Sequence, residues 1–251
     1  MKGLNKYSNY TKKLLAVSLL AVVTAGCSDF LDMQPPAEIS DANFWTGESD
    51  AKLALVGCYR FSSGWSNDNF DSAQGLLYLD FSGGNGTEKE NFTTNMASSN
   101  TVATNGNLNW YWRTSYEKLA KYNTFLDNIG NCPMDETKKK QWIAEVKTLR
   151  SYFLFNLAFY FQNVPMPLTT LSVEEANTMA QSSQAEVYEQ VESDLKDAIS
   201  VLPLEQKDEN LGRISKGAAR TILARLYLAQ NRFSEAAAVL KDIIDSNIYA
   251  F

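Results

Sequence analysis

The chain has 251 residues, 45% of them hydrophobic and 12% aromatic, enough apolar material for the core of one large or two small domains. Its 23 basic and 29 acidic residues leave a net charge of −6, the opposite of the basic footprint that nucleic-acid phosphates demand. Histidine is absent and the three cysteines form no CxxC pair, which removes His-dependent nucleophile systems, the usual zinc sites and thiolate metal clusters.

Residues 1–26 carry Lys2, Lys6, Lys12 and Lys13 without an acid, then an apolar run from Leu14 to Val23, then Thr24-Ala25-Gly26. This is the build of a secretory signal peptide; the run is half the ~20 apolar residues that a membrane span needs. With Cys27 directly after the small residues, the segment resembles the lipobox of bacterial lipoproteins, although Thr24 stands where Leu is more frequent. An ordinary signal peptide with a cysteine beside its cut is the alternative. In the lipobox reading the Cys27 thiol is acylated and becomes the new N-terminus, each buried CH₂ contributing about 0.8 kcal/mol to membrane binding. Loss of the four leader lysines leaves 19 basic against 29 acidic residues, a net charge of −10. Such a body does not adsorb to anionic lipid, so the anchor has to be covalent.

Residues 27–48, with Pro35-Pro36, read as an extended tether, and the rest, 49–251, as one helical domain. A first helix is expected from Ser49 to Phe61, capped by Ser49 or Asp50, with Leu53, Val56 and Tyr59 or Arg60 at helical spacing. From 62 to 109 Gly, Ser, Asn, Asp and Thr dominate, around Ser82-Gly83-Gly84-Asn85-Gly86-Thr87. An irregular insertion of that length points to function rather than plain connection. Helical periodicity returns from Trp110 to Ile129, with Tyr111, Tyr116, Leu119, Tyr122, Phe125 and Leu126 along one face. Asp135 caps a long helix to Phe161, with Trp142, Ile143, Val146, Leu149, Phe153, Leu157 and Tyr160 on its apolar side and Pro165 and Pro167 ending it. Ser182 or Ser183 caps a helix from Gln184 to Leu202; Ser215 caps another from Lys216 to Gln230; a last one runs from Ser234 to Ser246. Cys58 and Cys132 can pair in an oxidising compartment, but the chain lacks the cysteine density of a disulfide scaffold, so two buried free thiols are expected.

Between Gly217 and Ala250, the order Leu223, Tyr227, Asn231, Phe233, Ala236, Leu240, Ile243 follows the helix-turn-helix spacing of a tetratricopeptide repeat. A more degenerate pair spans 110–161. The fold class is therefore mainly α: tetratricopeptide-like hairpins of the α-α superhelix type, interrupted by a long irregular loop.

Cys27-Ser-Asp-Phe-Leu-Asp-Met-Gln-Pro-Pro36, Asn43-Phe44-Trp45 and Asp50-Ala51 resemble the opening of the SusD/RagB family of Bacteroidetes nutrient-uptake lipoproteins. Further matches follow in order: Trp112 and Tyr116, Tyr122-Asn123-Thr124-Phe125-Leu126, Glu145, Leu149-Arg150-Ser151-Tyr152-Phe153, Asn163-Val164-Pro165, Val187-Tyr188, Asp194-Leu195 and Gly212-Arg213-Ile214-Ser215. The resemblance implies a non-enzymatic, lipid-anchored protein on the outer face of the outer membrane. It implies capture of glycans, or in some branches peptides, for a SusC-like TonB-dependent transporter, with no cofactor. It also implies about twice this length, so the chain reads as the N-terminal half of such a protein. Ser28, Asp29 and Asp32 then read either as an acidic cue for surface export or as a solvated linker.

Glycan binding without catalysis needs flat aromatic faces for sugar CH groups and amide or carboxylate groups for hydroxyls. In the 62–109 segment Asp80, Asn85, Glu88 and Phe92 flank the Gly-rich turn and are the candidate ligand contacts. The alternative reading has Phe92 packing under its own loop and the polar groups capping turns. Trp110 and Trp112 read as core, and Arg150 as the cationic half of a structural ion pair with Glu145 or Glu117. An interaction scaffold that binds no small ligand is the alternative function; no carboxylate pair is spaced to suggest a glycosidase.

Overall fold

Seven α-helices and no β-strand make up the described residues. The structure is a computed structural model and describes residues 44–60, positions 80, 83, 86, 102 and 104, and residues 106–249. In chain order the helices are α1 (Glu48–Cys58), α2 (Gly106–Ile129), α3 (Glu136–Phe161), α4 (Val173–Thr178), α5 (Gln184–Val201), α6 (Lys216–Ala229) and α7 (Phe233–Asp245), with a 3-10 turn at Asp208–Asn210. All lie within one unit, Trp45–Phe251; Met1–Phe44 falls outside it. α1 packs on α2, α2 on α3, α3 on α5, α5 on α6 and α6 on α7. Neighbouring helices thus stack in sequence order, as helical-hairpin folds do.

Local chemistry sets most of the helix starts. Asp135 accepts a hydrogen bond from Lys138 N at 2.9 Å. Ser183 caps α5 in a capping box, the Glu186 carboxylate accepting from Ser183 N at 2.7 Å. α1 departs from expectation: it begins at Glu48 with Gly47 as its cap residue, not at Ser49 or Asp50. The Asp50 carboxylate instead reaches back to accept from Thr46 N (3.1 Å) and Thr46 Oγ1 (2.6 Å), and Glu48 and Asp50 both sit at the positive end of the helix dipole. The buried face of α1 is also not the expected one. Leu53 and Val56 are 62% and 60% exposed, whereas Ala51, Leu55 and Cys58 are buried. Both sets have helical spacing, and packing against α2 and α3 selects the set Ala51, Leu55 and Cys58 for burial.

α3 is the centre of the molecule. Flanked by α2 and α5, with α1 and α6 touching it, it buries Trp142, Val146, Leu149, Phe153, Leu154, Phe155 and Leu157 on several sides, not on a single stripe. Tyr160, expected on the buried side, is 44% exposed. Arg150 makes a buried ion pair, but with Asp194 of α5 (Nη2 to Oδ2, 2.7 Å) and not with Glu145 or Glu117. Glu145 lies five residues away, nearly half a turn around the helix, where side chains of one helix do not meet; Glu117 faces Arg113 one turn back on α2. Arg150 Nη1 also donates to Asn123 Oδ1 and to Leu168 O. Asn123 Nδ2 donates to the carbonyls of Pro167 and Thr169 at 3.0 Å, and Tyr116 Oη to that of Pro165. This polar knot holds the α3–α4 connection onto α2 and satisfies carbonyls that would otherwise be buried without partners.

The final hairpin turns at Asn231, whose φ is 58°, and buries Leu223, Leu226, Tyr227 and Ala236. Phe233 and Leu240, although part of the repeat spacing, are 61% and 37% exposed. Cys58 and Cys132 are buried free thiols, as expected.

Candidate functional site

Of the residues proposed as ligand contacts, Asp80 is described and exposed; Asn85, Glu88, Phe92 and the lipidation candidate Cys27 lie outside the described residues. Trp110 and Trp112 are partly buried against the core, as expected, Trp112 lying 5.1 Å from the Phe161 ring and 4.9 Å from that of Tyr116.

The described residues line an open pocket of about 390 Å³ where the end of α1, the middle of α3, the middle of α6 and the α5–α6 connection meet. Its lining is Tyr59, Thr148, Leu149, Tyr152, Gly212, Ile214 and Ile222. Thr148, Leu149 and Tyr152 reach it together because Tyr152 lies one turn on from both of the others, at i+4 and i+3. Gly212 borders it at φ +88°, a backbone state that a side chain would strain.

Beside the cavity Glu145, fully buried, is held by three neighbours. Arg213 Nε and Nη2 grip both its oxygens at 2.8 and 2.7 Å, and Tyr59 Oη donates to Oε2 at 2.6 Å. Gln141 Nε2 adds a longer contact of 3.4 Å. Tyr59 Oη in turn accepts from Ile214 N at 3.0 Å. Burial, reinforced by the Glu145 charge, pushes the Tyr59 phenol well above its ordinary range. The Arg213 guanidinium lies 5.7 Å from the Trp142 ring centre, within cation–π range, and donates to Asn210 Oδ1. Gln206 Nε2 donates to Ile214 O at 2.7 Å.

This cluster therefore straps the 203–215 connection to α1 and α3. Both oxygens of Glu145 and the hydroxyl of Tyr59 are committed within the protein, and the Thr148 hydroxyl donates to Ala144 O. The cavity consequently offers a ligand mostly apolar contact. Residues 59, 145 and 213 are separated by 86 and 68 positions, so no local spacing could have revealed the cluster. Among the described residues no group of three or more His, Cys, Asp or Glu is placed to hold a metal ion, and no helix is long and apolar enough to cross a membrane.

Residues 29–228 match the SusD-like family described as starch-binding and associating with the outer membrane. The chain is 25% identical over 235 residues to a SusD-like protein of Formosa agariphila, covering 88% of this chain and 44% of that one. A SusD-like protein of Bacteroides ovatus is 24% identical, with 87% and 39% covered. Among solved structures, a SusD-like carbohydrate-binding protein from Bacteroides fragilis superposes with a TM-score of 0.71 at 31% identity, over 82% of this chain and 42% of that one. A laminarin-binding SusD-like protein gives 0.66 at 27% identity, over 79% and 44%. The chain spans less than half the length of each of these relatives.

Proposed function

The chain belongs to the SusD-like family, and from that premise we propose that it is a non-enzymatic binding lipoprotein, which captures oligosaccharides at the outer face of the outer membrane and passes them to a SusC-like TonB-dependent transporter. The observation that carries the reading is the family match over residues 29–228, together with a 27% identical relative named for laminarin binding. The absence of histidine and the commitment of Glu145 and Tyr59 to structural hydrogen bonds accord with binding rather than turnover. Acylation at Cys27 supplies the attachment, and the 62–109 segment with Asp80, Asn85, Glu88 and Phe92 supplies ligand contacts.

The test is affinity electrophoresis and calorimetry of the 251-residue chain against laminarin, amylopectin and a peptide library. Retardation by at least one glucan is expected; peptide binding with no glycan binding overturns the carbohydrate reading. Cys27→Ser should abolish incorporation of labelled palmitate and release the protein from the membrane fraction. A second reading, an interaction scaffold, is favoured by one observation: α7 leaves Phe233 and Ile244 exposed. It predicts capture of a transporter after residues 62–109 are replaced.

A further inference from the structure

A row of aromatic rings runs from α5 across α3 to α2. In order it joins Tyr188, Phe155, Phe159, Tyr160, Tyr111, Phe161, Trp112 and Tyr116, with successive centroids 4.9 to 6.2 Å apart. Tyr188, Phe155 and Tyr111 are buried, but Phe159 and Tyr160, at the middle of the row, are 48% and 44% exposed. The two rings stand 5.2 Å apart at 82°, forming a corner braced from behind by Phe155 and Tyr111. Braced rings lose little freedom when a ligand settles on them, and a flat aromatic face is what the CH surface of a pyranose ring stacks against.

The residue that ends this helix supplies a second, independent observation. Gln162 adopts φ 65°, ψ −93°, a region that penalises any residue bearing a Cβ and that glycine occupies freely. Its N–H closes the helix onto Ala158 O at 3.0 Å, yet its exposed side chain makes no hydrogen bond to the described residues. A glutamine at a strained position, unrewarded by any internal contact of its amide, fits a ligand-facing role. One amide offers a donor and an acceptor side by side, which suits the vicinal hydroxyls of a sugar.

We propose that Phe159, Tyr160 and Gln162 form a carbohydrate-binding platform outside the 62–109 segment, taking one or two pyranose rings of a neutral oligosaccharide by stacking on the rings and hydrogen bonding to the amide. The proposal rests on the glycan-capture reading above. The platform also lies beside the start of α2, through the contact of Tyr111 with Tyr160, so it adjoins the point where the chain leaves the loop-rich segment.

The experiment is titration calorimetry of the 251-residue chain with laminariheptaose and maltoheptaose, comparing wild type, Phe159→Ala/Tyr160→Ala and Gln162→Gly. For whichever glucan binds, the double variant should weaken affinity roughly tenfold and Gln162→Gly roughly threefold. Gln162→Gly relieves the backbone, so its melting temperature should rise by about 2 °C while its affinity falls, a split that a purely structural role does not produce. It also keeps the test independent of whether the ring variant folds. Wild-type affinity in Gln162→Gly and in a folded ring variant overturns the platform and leaves the glycan reading standing. A wild type that binds neither glucan overturns both.

Discussion

Arg213→Ala is the sharpest test of how the 203–215 connection is held. Glu145 is fully buried, and Arg213, 15% exposed, supplies two of its hydrogen bonds and its balancing charge. Removing one partner of a buried ion pair costs about 3–5 kcal/mol, because the remaining charge is stranded in a poorly solvating interior. The slight exposure of Arg213 lets water reach the vacated space and places the expectation at the low end, about 3 kcal/mol. With a urea slope of about 2 kcal/mol/M, the unfolding midpoint should fall by about 1.5 M. Tryptophan fluorescence is a direct reporter, since Trp142 lies under the guanidinium. Arg213→Lys keeps the charge but loses the two-pronged grip, and should fall between. Glu145→Leu/Arg213→Met removes both charges and should recover most of the loss, leaving about 1 kcal/mol for the Tyr59 hydroxyl stripped of its acceptor. A midpoint shift below about 0.5 M for Arg213→Ala, or a double variant less stable than Arg213→Ala, refutes the reasoning.

Three further outcomes are expected. Hydrogen bonds, first from Arg232 and then from Lys196 and Tyr227, hold the Glu192 carboxyl at about 2 against an ordinary 4.5. The folded value lies below the unfolded one, so this contribution is present above about pH 4.5 and is lost as pH falls toward 2; Glu192→Gln should flatten the pH dependence of the melting temperature across that window, and an unchanged slope counts against the assignment. Burial pushes the Cys58 thiol up to about 12, so maleimide mapped by mass spectrometry should spare Cys58 in native protein and label it in concentrated urea; labelling in the native state contradicts the packing of α1. Phe233 and Ile244 leave apolar surface on α7, so the chain should self-associate in sedimentation velocity and Phe233→Ser/Ile244→Ser should reduce this, whereas a monomeric wild type at high concentration argues that the face is innocuous.

Individual residues show where sequence reasoning succeeds and stops. Asp135, Ser183 and Ser215 all cap the helices assigned to them, because a cap is a contact between residues three apart and its chemistry is local. On α5, Val187, Val191, Leu195 and Ile199 are spaced four apart; the first three are buried and Ile199 is half-buried. On α1 two stripes had equal periodicity, and the neighbour it packs against, not the period, chose Ala51, Leu55 and Cys58. Arg150 is half of an ion pair, as its place among apolar neighbours implies, but its partner is Asp194 of α5. Of the ligand contacts expected in the loop, only Asp80 is among the described residues; Tyr160 reads from the sequence as part of the apolar side of its helix, and no local pattern marks Phe159 or Gln162 as exposed.

By itself the sequence determined six of the seven described helices and the caps of α3, α5 and α6, the absence of histidine chemistry, and an acidic balance that argues against nucleic acid. Ordered short matches along the chain were enough to reach the family. Tertiary structure decided which of two equivalent helix faces is buried, that Glu145 is gripped by Arg213 and Tyr59, and that two aromatic side chains of the central helix reach solvent. The division has one physical cause. Hydrogen bonds and caps within a helix act between neighbours in sequence, whereas burial and buried-charge pairing depend on which distant segments meet, and no local spacing carries that information.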